Sequence, residues 1–406
     1  MKKRILFVDD EPDILSSLRR MLRPARGEWE MAFCDGGVVA LEKMAEEPFD
    51  VVVSDIRMPE MDGVELLTRV KEKYPQTVRI ALSGHSKQDA LLRSVGPTHQ
   101  FLAKPCDADI LIGVITRSCA LRDLLSDTSL VQFATNLESL PSLPTLYLQV
   151  LEELKSPTSS LTKVGEIIAK DIGMTAKILQ LVNSAFFGIP RHIASPAQAA
   201  SLLGVDITCA LVLSVKIFSD VNLNTPSQLD LERLWRHSYL TSLLAKEIAQ
   251  RAELDKKSID DVFLAGMLHD VGILILASGF PEKYADVLDL AGADMRNQMS
   301  AEQEELGRTH AEIGGYLMGL WGLPDSIVEA IYFHHSPGKA PSNGAFTPLT
   351  AVHAASAILM SELTSNPIPP EELLDMDYIN QLGLANEIPI WQDLLATILS
   401  KGEDSE

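Results

Sequence analysis

Asp9, Asp10, Asp55, Ser83 and Lys104 each stand at the end of a short apolar run. Adjacent acids such as Asp9 and Asp10 suit a hard divalent cation like Mg²⁺, which keeps several waters and prefers carboxylate and phosphate oxygens. Asp55 can complete that metal site. It is also a potential nucleophile that takes a phosphoryl group as an acyl phosphate. Lys104 supplies positive charge to the incoming phosphoryl oxygens, and the Ser83 hydroxyl can donate to one of them. Gly84 lets the backbone approach, and Lys104-Pro105 is a bond where a cis peptide is tolerated and could aim the lysine inward.

A second set lies in the other half of the chain: His237, His269-Asp270, His310 and His334-His335, all in helical context. Neutral imidazoles and carboxylates from several helices are how helical bundles build metal sites. His237, His269 and Asp270 could hold one ion such as iron, manganese or zinc. Adding His310 and His334 or His335 would make a dinuclear site able to activate water and clamp a phosphodiester. Any single one of these histidines reads more readily as a hydrogen-bonded core residue than as a ligand; it is the ordered set that points to a metal.

Both sets need a scaffold. Arg4-Ile5-Leu6-Phe7-Val8, Phe49-Asp50-Val51-Val52-Val53, Val78-Arg79-Ile80-Ala81-Leu82 and Gln100-Phe101-Leu102-Ala103 are too short for independent helices and read as buried strands. Amphipathic helical stretches separate them. That alternation predicts an α/β unit, a doubly wound parallel sheet with helices on both faces and ligands beyond the carboxyl ends of the strands. A helix over 107–125 closes it, and Ser126-Asp127-Thr128 reads as a hinge. From Val131 the strand signals vanish, and helices over 231–250, 259–276, 282–290, 301–318, 324–334 and 349–363 compose an all-α domain. The acidic region after Pro369 reads as a helical cap on that domain. Asn183-Ser184 reads as a helix-end cap, Phe186-Phe187 and Trp235 as core, and Arg19-Arg20 as a solvated face. The division expected is 1–121, a helical linker over 122–135, and 136–406 with its core over about 136–340.

The 406 residues suffice for two or three domains. A net charge of −21 and a pI near 4.8 disfavour a nucleic-acid surface, and no basic helix-turn-helix segment is visible. Cys34, Cys106, Cys119 and Cys209 lack CxxC spacing and read as reduced thiols. The basic start is followed by an apolar run too short for a signal peptide, and no stretch reads as long and apolar enough to span a bilayer. The expectation is a cytoplasmic protein.

Val8-Asp9-Asp10-Glu11, Ser54-Asp55-Ile56-Arg57-Met58-Pro59, Met61-Asp62-Gly63, Ser83-Gly84 and Lys104-Pro105 together resemble a two-component response-regulator receiver domain over residues 1–121. The resemblance implies a five-stranded flavodoxin-like fold, with Asp55 as phosphoacceptor and a sensor histidine kinase as donor. It implies Mg²⁺ on Asp9, Asp10, Asp55 and the Arg57 carbonyl. It also implies Ser83 and Phe101 as a switch pair that moves on phosphorylation and could alter domain docking or homodimerisation.

The histidine set resembles the HD superfamily of metal-dependent phosphohydrolases, whose ligands run His…His-Asp…Asp. Ser356 stands where the last acid is expected. The nearest resemblance is to the HDOD domain, an HD-related output module, over about 133–340. It rests on Leu140-Pro141-Ser142-Leu143-Pro144, Leu179-Gln180-Leu181-Val182-Asn183-Ser184-Ala185, Ala200-Ser201-Leu202-Leu203-Gly204, Gly266-Met267-Leu268-His269-Asp270-Val271-Gly272 and Trp321-Gly322-Leu323-Pro324. It implies a signalling module that works by protein–protein interaction with an unidentified partner. The HD-GYP cyclic-di-GMP phosphodiesterases are the rival class. Their Gly-Tyr-Pro stretch is missing after His334-His335, and Ile273 replaces their lysine.

Overall fold

In the computed structural model the described residues are 2–83, 97–124, 149–150, 153, 160–183, 193–204, 226–292, 297–341, 344–363 and 368–403. Gly84, most of the expected 122–135 linker, the Leu140–Pro144 motif, Phe186-Phe187 and Cys209 lie outside them.

Strands β1 (Lys3–Val8), β2 (Trp29–Cys34), β3 (Val51–Asp55), β4 (Val78–Ser83) and β5 (Gln100–Ala103) form one parallel sheet in the order β2-β1-β3-β4-β5. The chain reverses direction of growth beside β1, which opens a crevice past the ends of β1 and β3. Helices α1 (Pro12–Met21), α2 (Gly37–Glu46), α3 (Gly63–Lys73) and α4 (Ala108–Leu124) cover the sheet. Strand alternation feeds two cores: Ile5, Phe7, Val51 and Val53 face one, Leu6, Val8 and Val52 the other. Each such buried aliphatic side chain stabilises the fold by about 1.5–3 kcal/mol. The first core is continuous with that of the helical domain.

Among the described residues the remaining elements are helical: α5 (Leu161–Ile168), α6 (Ile172–Val182), α7 (196–204), α8 (Leu231–Arg251), α9 (Lys256–Leu268), α10 (Val271–Gly279), α11 (Pro281–Ala291), α12 (Gln298–Leu306), α13 (His310–Leu320), α14 (Asp325–Phe333), α15 (Pro348–Leu363), α16 (Met376–Gln381) and α17 (Ile388–Glu403). Trp391, Tyr378 and Ile379 are buried, so the acidic C-terminal region packs as a cap on α8 and α15. Trp235 is core, as expected, and its indole N–H donates to Asp171 Oδ2 at 3.2 Å. The Asn183 side chain closes a two-way clamp on the Ile193 backbone, donating to its carbonyl at 2.6 Å and accepting from its N–H at 2.7 Å.

Three expectations need correction. The single helix over 301–318 is two helices, because Gly307 takes a left-handed φ of 71° and Thr309 restarts the chain with a capping box closed by Glu312. The helix over 259–276 breaks at His269-Asp270. Lys256–Gly279 is, by length and composition, apolar enough to cross a membrane; 83% of its most apolar window is buried inside the domain, so it serves as core.

Candidate functional site

The crevice at the strand ends gathers the first set of residues. Asp9 follows β1 and is buried, and Asp55 is the last residue of β3. The Lys104 ammonium bridges them, 2.5 Å from Asp9 Oδ2 and bonded to Asp55 Oδ1. The Lys104-Pro105 bond is cis. The Arg57 N–H donates to Asp55 Oδ2 at 2.7 Å, and the Glu11 N–H donates to Asp9 Oδ1 at 3.0 Å. Burial pushes the Asp55 carboxyl above its usual range, although Lys104 and the Arg57 N–H pull the other way. For Lys104 burial pulls downward, and its bonds to Asp55 and Asp9 outweigh it.

Gly63 makes this packing possible: a Cβ there would lie 1.9 Å from the Asp55 carbonyl. Asp62 caps α3 by accepting from the Glu65 N–H. Asp10 is half-buried beside Asp9, Ser83 ends β4, and Phe101 on β5 is buried in the core shared with Ile56 and Met58. The Ser83 side chain lies outside the described positions. Converging carboxylates that already attract one ammonium suit Mg²⁺ and a phosphoryl group by donor chemistry.

The second set converges on Asp270, at the break between α9 and α10. Its Oδ2 lies 3.2 Å from His269 Nε2 and 3.7 Å from His237 Nε2. Its Oδ1 lies 3.4 Å from His310 Nε2 and 3.6 Å from His334 Nε2. His335 Nε2 is 3.0 Å from His310 Nε2. One carboxylate thus faces two imidazole groups, His237 with His269 and His310 with His334 and His335, and each group's ligand atoms fall within 4.8 Å of one another.

The far nitrogens are spoken for. His269 Nδ1 pairs with the Gly266 carbonyl at 2.8 Å, His334 Nδ1 with the Ile331 carbonyl at 2.7 Å, and His310 Nδ1 with Glu302 Oε2 at 2.7 Å. For His269 and His334 the carbonyl acceptors assign the proton to Nδ1, so their Nε2 lone pairs point inward. The buried Nε2 atoms of His269 and His334 have no hydrogen-bond partner. Lone pairs crowding a carboxylate repel unless a cation lies among them, and outer carbonyl or carboxylate partners are the usual support of metal-bound histidines. The residues therefore fit a borderline transition metal such as iron, manganese or zinc.

Burial draws His237 and His334 down to about 4, despite Asp270. Burial and its histidine neighbours hold His335 well below its ordinary value. His310 alone is pushed up to about 10, because Glu302 and Asp270 overcome burial. Burial raises the Asp270 carboxyl, but its imidazole neighbours, His269 foremost, outweigh burial and hold it well below the usual range.

Glu302 escaped the sequence reading. It is fully buried on α12, accepts from the His310 N–H at 2.7 Å and the Tyr284 hydroxyl at 3.0 Å, and lies 3.2 Å from Gln298 Nε2. In sequence it is one of several acids in Glu302-Gln303-Glu304-Glu305. His353 is not a ligand: it accepts from the Asp375 N–H at 2.9 Å and donates to the His334 carbonyl at 2.7 Å, tying the C-terminal cap to the cluster.

Gly272 seats the cluster, since a Cβ there would lie 1.9 Å from the His310 carbonyl. Gly272→Ala should therefore destabilise by about 1–3 kcal/mol in urea unfolding. Gly113→Ala, where nothing lies within 4 Å, should be neutral or stabilising by up to about 1 kcal/mol.

A cavity of about 600 Å³ opens onto the cluster, lined by Arg233, Arg236, His237, Asp270, Ile273 and Met360 among others. Ser356 is buried one turn before Met360 on α15, so that helix brings a hydroxyl to this side and no acid.

The sheet domain contacts the helical domain through β5 and α4. Gln100 Nε2 donates to the Leu320 carbonyl at 3.0 Å, Arg117 pairs with Asp325 at 3.0 Å, and Arg117 also donates to the Leu323 carbonyl.

Family models match in two places: the response regulator receiver domain over residues 5–116 and the HDOD domain over residues 140–337. An uncharacterized protein of Treponema pallidum (strain Nichols) is 27% identical over 225 residues, 54% of this chain and 42% of that protein. The DNA-binding transcriptional regulator NtrC of Escherichia coli (strain K12) is 35% identical over 120 residues, 29% of this chain and 25% of its own length. The chain thus spans less than half the length of these curated relatives. The crystal structure of the MmoQ response regulator from Methylococcus capsulatus str. Bath is 23% identical and covers 64% of this chain and 98% of its own, with a TM-score of 0.49.

Proposed function

The chain belongs to the response regulators that join a receiver domain to an HDOD domain, and from that premise we propose that it is phosphorylated on Asp55 and signals through a non-catalytic output domain. The observation that carries the first part is the Lys104 ammonium held between Asp9 and Asp55. A histidine kinase is the class of donor a receiver implies. Asp9, Asp10, Asp55 and the Arg57 carbonyl would hold Mg²⁺, which would supply charge neutralisation around the phosphoryl group. Lys104 holds a phosphoryl oxygen and the Ser83 hydroxyl donates to another, while a buried Asp55 carboxylate oxygen attacks phosphorus as the P–N bond of the kinase's phosphohistidine breaks and its imidazole leaves. Phosphorylation adds charge and acceptor oxygens, and Ser83 and Phe101 respond. The repacked β5–α4 face then changes its grip on the helical domain or on a second copy of the chain.

For the output, two chemical deficits favour binding over turnover. Ser356 supplies no anion, and Ile273 puts an apolar side chain where the HD-GYP enzymes carry a lysine. A protein partner is the corresponding target. The second reading is a metal phosphohydrolase, favoured by the imidazole-rich cluster and by the arginines of the adjoining cavity.

Affinity capture with the wild-type chain trapped by beryllofluoride and Mg²⁺, against Asp55→Asn, separates them. Partners retained only by the trapped wild type support the binding reading. Hydrolysis of a cyclic dinucleotide by the full chain, lost in His269→Ala, would replace it with the enzymatic one.

A further inference from the structure

The two sites are not independent. His310 opens α13, and His334-His335 follow the last residue of α14. The turn joining these helices, residues 321–324, lies against the receiver: Leu320 and Leu323 offer carbonyls to Gln100 and Arg117, and Asp325 pairs with Arg117. One helical hairpin thus touches the receiver at its tip and carries three histidines of the cluster at its base, about 16 Å away by the length of an 11-residue helix.

The hairpin is stiff. Leu317, Leu320, Ile327 and Ile331 are fully buried, and a Cβ at Gly315 would lie 2.8 Å from Tyr332 Cβ, so the two helices are in close contact. A packed element of this kind moves as a body, and a shift at its tip is felt at its base. Gln100 and Phe101 are neighbours on β5, so the residue that grips the hairpin stands next to the switch aromatic.

The cluster's two halves also differ. Asp270 Oδ1 with His310, His334 and His335 offers four ligands, the number a closed tetrahedral site uses. Asp270 Oδ2 with His237 and His269 offers three, and Ser356 adds no acid.

We propose that a single divalent transition-metal ion binds the four-ligand half, Asp270 with His310, His334 and His335, and that the receiver sets its affinity through the α13–α14 hairpin. This rests on the reading of Asp55 as the phosphoacceptor. By linkage, the metal shifts the receiver's affinity for a phosphoryl mimic by the same factor.

Cobalt(II) titration of the full chain, followed by its visible absorption in Mg²⁺ with and without beryllofluoride, tests this. We expect one equivalent of tight cobalt, lost in His335→Ala and kept in His237→Ala. Beryllofluoride should shift its dissociation constant at least about fivefold, the lower end of ordinary allosteric coupling. The shift should vanish in Asp55→Asn and shrink in the doubly substituted Gln100→Ala, Arg117→Ala chain. Cobalt bound equally tightly with and without the mimic would overturn the coupling while leaving the metal site and the phosphoacceptor intact. Cobalt lost in His237→Ala but kept in His335→Ala would place the ion in the other half. Absence of tight cobalt in the folded wild type would remove the proposal altogether. Beryllofluoride that fails to bind the wild type, read by fluorine NMR, would instead overturn the phosphoacceptor reading.

Discussion

Asp55→Asn should abolish acyl-phosphate formation: incubated with radiolabelled acetyl phosphate and Mg²⁺, the variant is expected to stay at background while the wild-type chain acquires hydroxylamine-sensitive label. The amide keeps the shape of the side chain and its bond from the Arg57 N–H, but it has no anionic oxygen to attack phosphorus. It also removes the charge that Lys104 faces, leaving Asp9 as the remaining carboxylate on the ammonium. Lys104→Ala should retain a slow reaction, reduced on the order of 10²-fold, because it removes charge stabilisation and not the nucleophile. Persistent labelling of Asp55→Asn at the wild-type level would place the acceptor elsewhere.

The second large effect belongs to Asp270. Asp270→Asn leaves five imidazoles around a neutral amide and deprives His310 of one of its two carboxylate partners. Breaking a buried charged network from one side costs about 3–5 kcal/mol, so the urea midpoint should fall steeply. Tightly bound iron, manganese or zinc, read by elemental analysis, should fall to background. Glu302→Gln is the milder companion. It keeps the volume but loses the anion that fixes the His310 ring, and metal affinity should drop about 10–100-fold. Full metal retention in Asp270→Asn would mean that the imidazoles do not act as ligands around that carboxylate.

The parts legible in the sequence are those where one residue type at one strand end has one plausible use. Asp9, Asp55 and Lys104 follow strands whose apolar alternation is strong, so their convergence could be anticipated. Strand β2 was not among the runs read as strands, because Trp29–Cys34 lies at the sheet edge, with Glu30 exposed and Met31, Ala32 and Phe33 half-buried. The 301–318 stretch read as one helix because apolar spacing continues across Gly307; only the left-handed turn there reveals the break. That break gives His310 its place at a helix start. Glu302 stayed hidden for a different reason: burial of one acid among several exposed neighbours is a tertiary fact. The contacts of Gln100 and Arg117 carry no motif at all, since their partners, two backbone carbonyls and the Asp325 carboxylate, lie more than two hundred residues away.

A phosphoryl group on Asp55 should be felt in the helical domain. Hydrogen–deuterium exchange of the intact chain with Mg²⁺, with and without beryllofluoride, reads it directly. Altered exchange is expected in residues 97–124 and again in residues 318–334, where the hairpin meets the receiver, and neither change in Asp55→Asn. Altered exchange confined to the receiver, with residues 318–334 unchanged in the trapped wild type, would contradict it.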